Sequence, residues 1–229
     1  MVFVDSMSDL FYPYGDYDYY RFLAAVFGVM AYCEQHTFQI LTKRPAHAEA
    51  FFRWLEGEVD DLKHAETIRD FCAEQAWHRI KSLPRFAPTK TWPLRNVWIL
   101  VSAENQEMYD KRVARLFEIP AVVHGVSMEP MLEDIELRFP LLPWPKSSHL
   151  SKTGLDWIIV GCEKVNGRQG RSFDYQWARH VRDQCKRNGF DIPFYFKQSP
   201  ESSFNDRVVE APILDGKVWN EFPDHLERP

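Results

Sequence analysis

Short apolar runs punctuate the chain, and polar residues follow each of them at once. The runs are Val2–Val4, Thr37–Leu41, Val97–Val101, Val122–Val126, Trp157–Val160 and Pro193–Phe196. They are rich in β-branched and aromatic residues and lack the alternation of a half-exposed strand. Continuous apolar character over such lengths predicts strands buried on both faces, as in a parallel sheet. Helical periodicity fills the intervals. Tyr19–Tyr32 sets Phe22, Val26, Phe27, Val29 and Met30 on one broad face, and Ala46–Leu55, Ala65–Ile80, Gln106–Phe117 and Tyr175–Asn188 read as further helices. Asn188-Gly189 is a natural stop for the last of them. Strand, helix and strand in these lengths predict repeated βα units, hence an α/β fold. The Pro-rich stretches Pro84–Pro93 and Pro140–Pro145 read as loops. Residues 1–198 form the expected domain, and 199–229 an irregular C-terminal tail packed on it.

The residues just past each strand carry the candidate chemistry. Asp5, Ser6 and Asp9 follow the first, Thr42, Lys43 and Arg44 the second, and Ser102, Glu104 and Asn105 the third. Ser127 and Glu129 follow the fourth, Gly161 and Glu163 the fifth, and Lys197 and Gln198 the sixth. Parallel α/β folds bind ligands beyond the carboxyl ends of their strands. Asp9, Lys43, Arg44, Asn105, Lys197 and Gln198 are therefore expected as a ligand-binding rim, with Glu104, Glu129 and Glu163 as its acid/base candidates. The bland alternative is that strand ends are polar because loops meet water. Alternating carboxylates and cations favour a built cleft, since mixed charges hold one another by pairing.

Composition narrows the classes. The chain has 229 residues, 45% hydrophobic and 27% charged, a net charge of -5 and a pI near 5.9. That length buries a core without staples. The acidic balance argues against a general nucleic-acid binder and leaves a local basic patch open. Cys33, Cys72, Cys162 and Cys185 are scattered and, like the eight histidines, form no metal-ligand spacing, so reduced thiols in a cytoplasmic protein are expected and no metal. No apolar run reaches the ~18–20 residues of a membrane span. Gly161–Gly170 is glycine-rich after a strand but lacks the Gly-Lys-Ser/Thr ending of a P-loop, a weak phosphate signal. Glu56–Asp61 reads as a solvated acidic loop.

Between the first strand and its helix lies Tyr12-Pro13-Tyr14-Gly15-Asp16-Tyr17-Asp18-Tyr19-Tyr20, in which five of nine residues are tyrosine. Tyrosine offers large amphipathic contact area at low entropy cost, and acids favour a basic partner surface. Tyr12, Tyr14, Asp16, Tyr17, Asp18 and Tyr19 are the partner-binding candidates. The competing reading makes Asp16 or Asp18 a helix cap with the tyrosines packed locally.

Several segments together carry a resemblance. Val2–Phe11, His36–Pro45, Asn96-Val97-Trp98, Ser127 with Glu129-Pro130, Leu155–Gly161, Arg182–Cys185 and Phe194–Gln198 resemble, in order, a phage and prophage family of unknown function. It is often labelled by phage gene products thirty-seven and sixty-eight. His36-Thr37-Phe38-Gln39-Ile40-Leu41-Thr42-Lys43-Arg44-Pro45 is the most specific block. The family is thought to be related to radical-SAM barrels, so the resemblance implies a partial, open parallel β/α barrel of about six βα units, TIM-like in kind. Family members carry three cysteines upstream of the first segment. Three thiolates hold three irons of a four-iron cluster and leave one iron open for S-adenosylmethionine. This chain begins downstream of that motif. It also has Met128 where the family usually has cysteine, Cys162 for a second glycine, Lys164 for serine, and Ala103-Glu104-Asn105 for Val-Glu-Asp. An iron-sulfur cluster and S-adenosylmethionine are accordingly not expected. A barrel short of its first strand would expose an edge that seeks a partner, so a homodimer or a protein partner is expected.

Two functional expectations follow. The first is a phage-type, non-catalytic binding protein that engages a host defence complex, for example a CRISPR effector. The second is an enzyme acting at the rim on a nucleotide or nucleic-acid-derived substrate, with the cluster segment missing or supplied by another chain.

Overall fold

All six continuous apolar runs become strands. Five are largely buried, as an apolar run without alternation requires, whereas the first, expected to be buried, leaves Val2 39% and Phe3 48% exposed. The computed structural model describes residues 1–13, 17–61, 67–84, 91–138, 154–187, 191–202 and 205–223. They fall into two compact units, Met1–Ile99 with Glu118–Val122, and Leu100–Phe117 with Val123–Pro229.

The first unit opens with β1 (Val2–Val4), α1 (Tyr17–Tyr32), β2 (Phe38–Thr42), α2 (Pro45–Asp61) and α3 (Ile68–Arg79). It takes in the start of β3 (Val97–Ser102), and its strand order is β1-β2-β3. β1 and β2 run parallel, with Val2 opposite Phe38 and Val4 opposite Ile40. The buried face of α1 is Leu23, Phe27 and Met30 with Ala24 and Ala31. Phe22, expected on that face, is instead 47% exposed, because the i, i+4, i+7 stripe through Leu23 already fills the core side. Gly28 lets α1 and α3 touch: a Cβ there would stand 2.1 Å from the Cys72 carbonyl oxygen. Phe27, Phe51 and Phe52 form a nest of edge-on and tilted rings against Trp92. Asn96 is buried and its amide donates to the carbonyls of Met30, Cys33 and His36 at 3.0–3.1 Å. One side chain thus satisfies backbone acceptors at and beyond the carboxyl end of α1.

The second unit continues with α4 (Gln106–Leu116), β4 (Val123–Met128), β5 (Trp157–Gly161), β6 (Lys164–Val165), β7 (Arg168–Gln169), α5 (Tyr175–Cys185), β8 (Phe194–Ser202), β9 (Asn205–Glu210), β10 (Ile213–Leu214) and β11 (Lys217–Val218). Its strands run in the order β3-β4-β5-β8-β9-β7-β6. β4, β5 and β8 are parallel neighbours, whereas β9 turns back antiparallel to β8. β3 and β4 are buried along their whole length, as an apolar run without alternation requires. Asn105 and Asp174 cap α4 and α5, their side chains accepting from Met108 N–H and Gln176 N–H.

The expected α/β fold with mainly parallel strands is therefore present, and several expectations need correction. The acidic Glu56–Asp61 stretch, expected as a solvated loop, is the C-terminal part of α2. The glycine-rich Gly161–Gly170 stretch is a β-hairpin, not a phosphate cradle. Asn166 (φ 51) and Gly167 (φ 82) form its two-residue turn, the left-handed pair that hairpins demand. The stretch after Gln198, expected to be irregular, carries the rest of β8, then β9 and the β10–β11 hairpin. Trp219–Glu221 pair with β8 as well: Phe196 N–H donates to Trp219 O, Glu221 N–H donates to Phe194 O, and Tyr195 bridges Asn220. Asp215 then clamps this segment to α5 through Arg179 (2.8 Å) and Arg182 (2.6 Å). The predicted helix stop at Asn188-Gly189 lies outside the described residues, and α5 ends at Cys185.

Candidate functional site

The polar residues at the strand ends divide between the two units. Asp9, Thr42, Lys43 and Arg44 belong to the first; Glu104, Asn105, Glu129, Glu163, Lys197 and Gln198 belong to the second.

In the first unit Asp9 is occupied by its own chain. Its carboxylate accepts from Thr42 Oγ1 (2.8 Å), Lys43 N–H (2.9 Å) and Phe11 N–H (3.0 Å). Thr42 Oγ1 in turn accepts from Arg44 N–H at 2.9 Å. The cluster fixes the turn from β2 into α2, a local backbone role. Arg44 lies over the Tyr12 ring, 4.7 Å from its centroid, and Lys43 is exposed. Elsewhere in the tyrosine-rich loop, Tyr19 donates its hydroxyl to Leu10 O and stacks on Phe22. Tyr20 packs on Phe51 and Trp54. Asp18 sits in the first turn of α1, where a negative charge suits the helix dipole. Tyr14 and Asp16 lie outside the described residues, as does the side chain of Tyr17. Tyr12 and Asp18 are the exposed members that remain.

In the second unit three rim carboxylates each meet a dedicated cation. Glu104 pairs with Arg112 at 2.7 Å, and Arg112 also donates to Ser102 O. Glu129 pairs with Lys197 at 2.8 Å. Glu163 is held by Arg171 through a two-pronged guanidinium contact (2.6 and 2.9 Å) and by Arg171 N–H (2.8 Å). These bonds from Arg171 pull the Glu163 carboxyl down to about 2, as charge-assisted forks do. The charge of Glu104 is also felt at Arg171 and adds to the rise in its pKa. Glu163 thus remains an anion throughout the neutral range. Burial pushes the neighbouring Cys162 thiol up to about 11, far from the thiolate a nucleophile needs.

Glycines set the spacing of this rim. A Cβ on Gly161 would come within 3.1 Å of Gln198 Cγ and 3.3 Å of Glu129 Cγ, so a bare backbone lets both side chains lie across the end of β5. One on Gly170 would stand 2.4 Å from Glu163 Oε2. Gln198, expected to face a ligand, is buried, and its amide donates to Cys162 O at 2.8 Å. It bridges the register shift between β5 and β8. Asn105, also expected at the rim, spends its side chain on the α4 cap. The segment after β4 crosses the ends of its neighbours: Leu132 N–H donates to Glu104 O, and Met131 N–H to Gly161 O.

Sequence reasoning missed four features here. Arg112 and Arg171, the partners of two rim acids, lie eight residues downstream of them and carried no signal of their own. The Asn166-Gly167 turn was legible as a hairpin, yet the stretch around it reads from sequence as a weak phosphate signal. Asp156 stood unnoticed in an apolar block. It is buried just before β5, accepts from His124 N–H at 2.9 Å through Oδ2, and has no partner for Oδ1 among the described residues. Burial raises its pKa to about 6. Among the described residues no group of three His, Cys, Asp or Glu could hold a metal ion, and no helix is long and apolar enough to cross a membrane.

A family model described as a protein of unknown function, DUF5131, matches residues 1–223. The chain belongs to the DUF5131 family. No curated protein and no solved structure matches it. In this DUF5131 protein the rim acids Glu104, Glu129 and Glu163 of the second unit are each paired with a cation of the same chain.

Proposed function

We propose that this DUF5131 protein is a non-catalytic binding protein on a degenerate radical-SAM-like partial barrel. It is of phage type, acts in the cytoplasm, and engages a protein partner such as a host defence complex of the CRISPR class. One observation carries the reading: Glu104, Glu129 and Glu163 are each held by Arg112, Lys197 and Arg171. A carboxylate fixed as an anion near pKa 2, beside a thiol near 11, is poorly matched to proton transfer at neutral pH. The fixed pairs instead hold a rigid polar surface. Cluster and S-adenosylmethionine play no part in this reading, and the exposed Tyr12 and Asp18 supply contact area for the partner.

The test combines binding with target-DNA cleavage by a purified CRISPR effector. The chain is expected to co-elute with the effector and lower its cleavage. Tyr12→Ala with Asp18→Ala should weaken both effects, whereas Glu129→Gln with Lys197→Gln should leave them standing. Turnover of a nucleotide substrate that disappears in Glu129→Gln would end the reading in favour of an enzyme. That second reading has its own support, since Lys197 is half exposed beside the largely buried Glu129, and a polar ligand could take its place in the pair.

A further inference from the structure

The β6–β7–β9 ribbon of the second unit carries an arrangement that stability alone does not favour. Arg168 on β7 is registered directly against Arg207 on β9, and Val165 on β6 directly against Arg168. Directly opposed residues share a face, so Val165, Arg168 and Arg207 form one row across three strands. Like charges placed opposite one another on a sheet repel. Only one of the two is answered: Arg168 bonds Asp206 at 2.8 Å, while no carboxylate among the described residues pairs with Arg207. Arg168 is 72% exposed and Val165 51% exposed. The Asn166–Gly167 turn and Gly167 O, which accepts from Val208 N–H, lock the ribbon's end in place.

We propose that this row is a contact surface for the phosphate backbone of duplex nucleic acid. Two guanidinium groups on neighbouring strands, ~5 Å apart at their roots, suit the oxygens of a phosphodiester, which arginine recognises as a fork. In a chain of net charge -5, a local cation pair is the form such a contact must take. The proposal stands on the ribbon alone and is independent of the binding reading above.

A short fluorescein-labelled DNA duplex, followed by anisotropy from ~50 to ~200 mM salt, tests it. The wild-type chain should bind with an affinity that falls as salt rises. Arg168→Gln with Arg207→Gln should weaken binding and cut the slope of log affinity on log salt by about 2, at ~0.9 per lost phosphate contact. Removing the repelling pair should leave the thermal midpoint unchanged or raised, which separates lost contact from lost fold. Asp206→Asn, which frees Arg168, should tighten binding about threefold or more. An affinity and slope unaltered in the double variant, a loosened Asp206→Asn complex, or equal displacement by a polyglutamate peptide would each overturn the proposal.

Discussion

Asp156→Asn should stabilise the protein at neutral and alkaline pH. The carboxyl is buried at the amino end of β5, where His124 N–H supplies one hydrogen bond and Oδ1 has no partner among the described residues. Its pKa rises from 3.8 to about 6, chiefly through burial, with the His124 N–H bond working against the rise. A folded pKa above the unfolded one means the native state binds the extra proton. The group therefore costs nothing below pH ~4, begins to cost as pH climbs through the window between the two pKa values, and imposes its full penalty above ~6. At 1.36 kcal/mol per pKa unit that penalty is about 3 kcal/mol. Asparagine keeps an acceptor for His124 N–H and removes the charge, at the cost of an amide N–H without a partner, so a net gain of about 1–3 kcal/mol is expected at pH 8. Urea unfolding of both proteins from pH 5 to pH 8 measures it. The midpoint of the variant should lie above wild type by up to about 1 M at pH 8, and the gap should shrink towards pH 5. A gap independent of pH, or a variant less stable at pH 8, would refute the reasoning.

Gly28→Ala should destabilise the first unit by about 2 kcal/mol in thermal or urea unfolding. The clash with Cys72 O at 2.1 Å outweighs the ~1 kcal/mol gain in helix propensity. Asn96→Ala removes a side-chain donor from three carbonyls around the end of α1, of which Met30 O and Cys33 O keep backbone N–H donors, and should cost about 2 kcal/mol; a loss below ~0.5 kcal/mol would contradict it. Glu163 should titrate near pH 2 in the wild type by side-chain carboxyl NMR, and near its ordinary 4.5 in Arg171→Gln. Because its folded pKa is depressed, its contribution to stability is present above ~4.5 and is lost as pH falls towards 2.

Strand existence was legible because a parallel strand buried on both faces needs an uninterrupted apolar run. Val97–Ser102 shows it most simply, with every residue buried. Pairing and capping were less legible, since they depend on residues distant in sequence. Asp9, Asn105 and Gln198 looked like ligand-facing groups, yet each satisfies backbone donors or acceptors of its own chain. Polar residues at strand ends serve loop geometry as readily as ligands, and sequence carries no mark of which. The hairpin at Asn166-Gly167 carried a clear local signal, masked by the competing glycine-rich reading. On α1 Phe27 and Met30 are buried as expected while Phe22 gives way to Leu23, because Tyr19–Met30 is apolar on nearly every side. Only the packing of Leu23 and Phe27 decides which side turns inward.

The pairing of Trp219–Glu221 along β8 bears on how the protein is made. Until the ribosome has released those residues, the Phe194 and Phe196 backbone has no such neighbour, and the nascent second unit presents an open template to other chains. A stall or truncation before Trp219 would leave a fragment already holding β3, β4 and β5 but prone to associate through that side. Chaperone dependence during synthesis should accordingly fall sharply once this segment emerges.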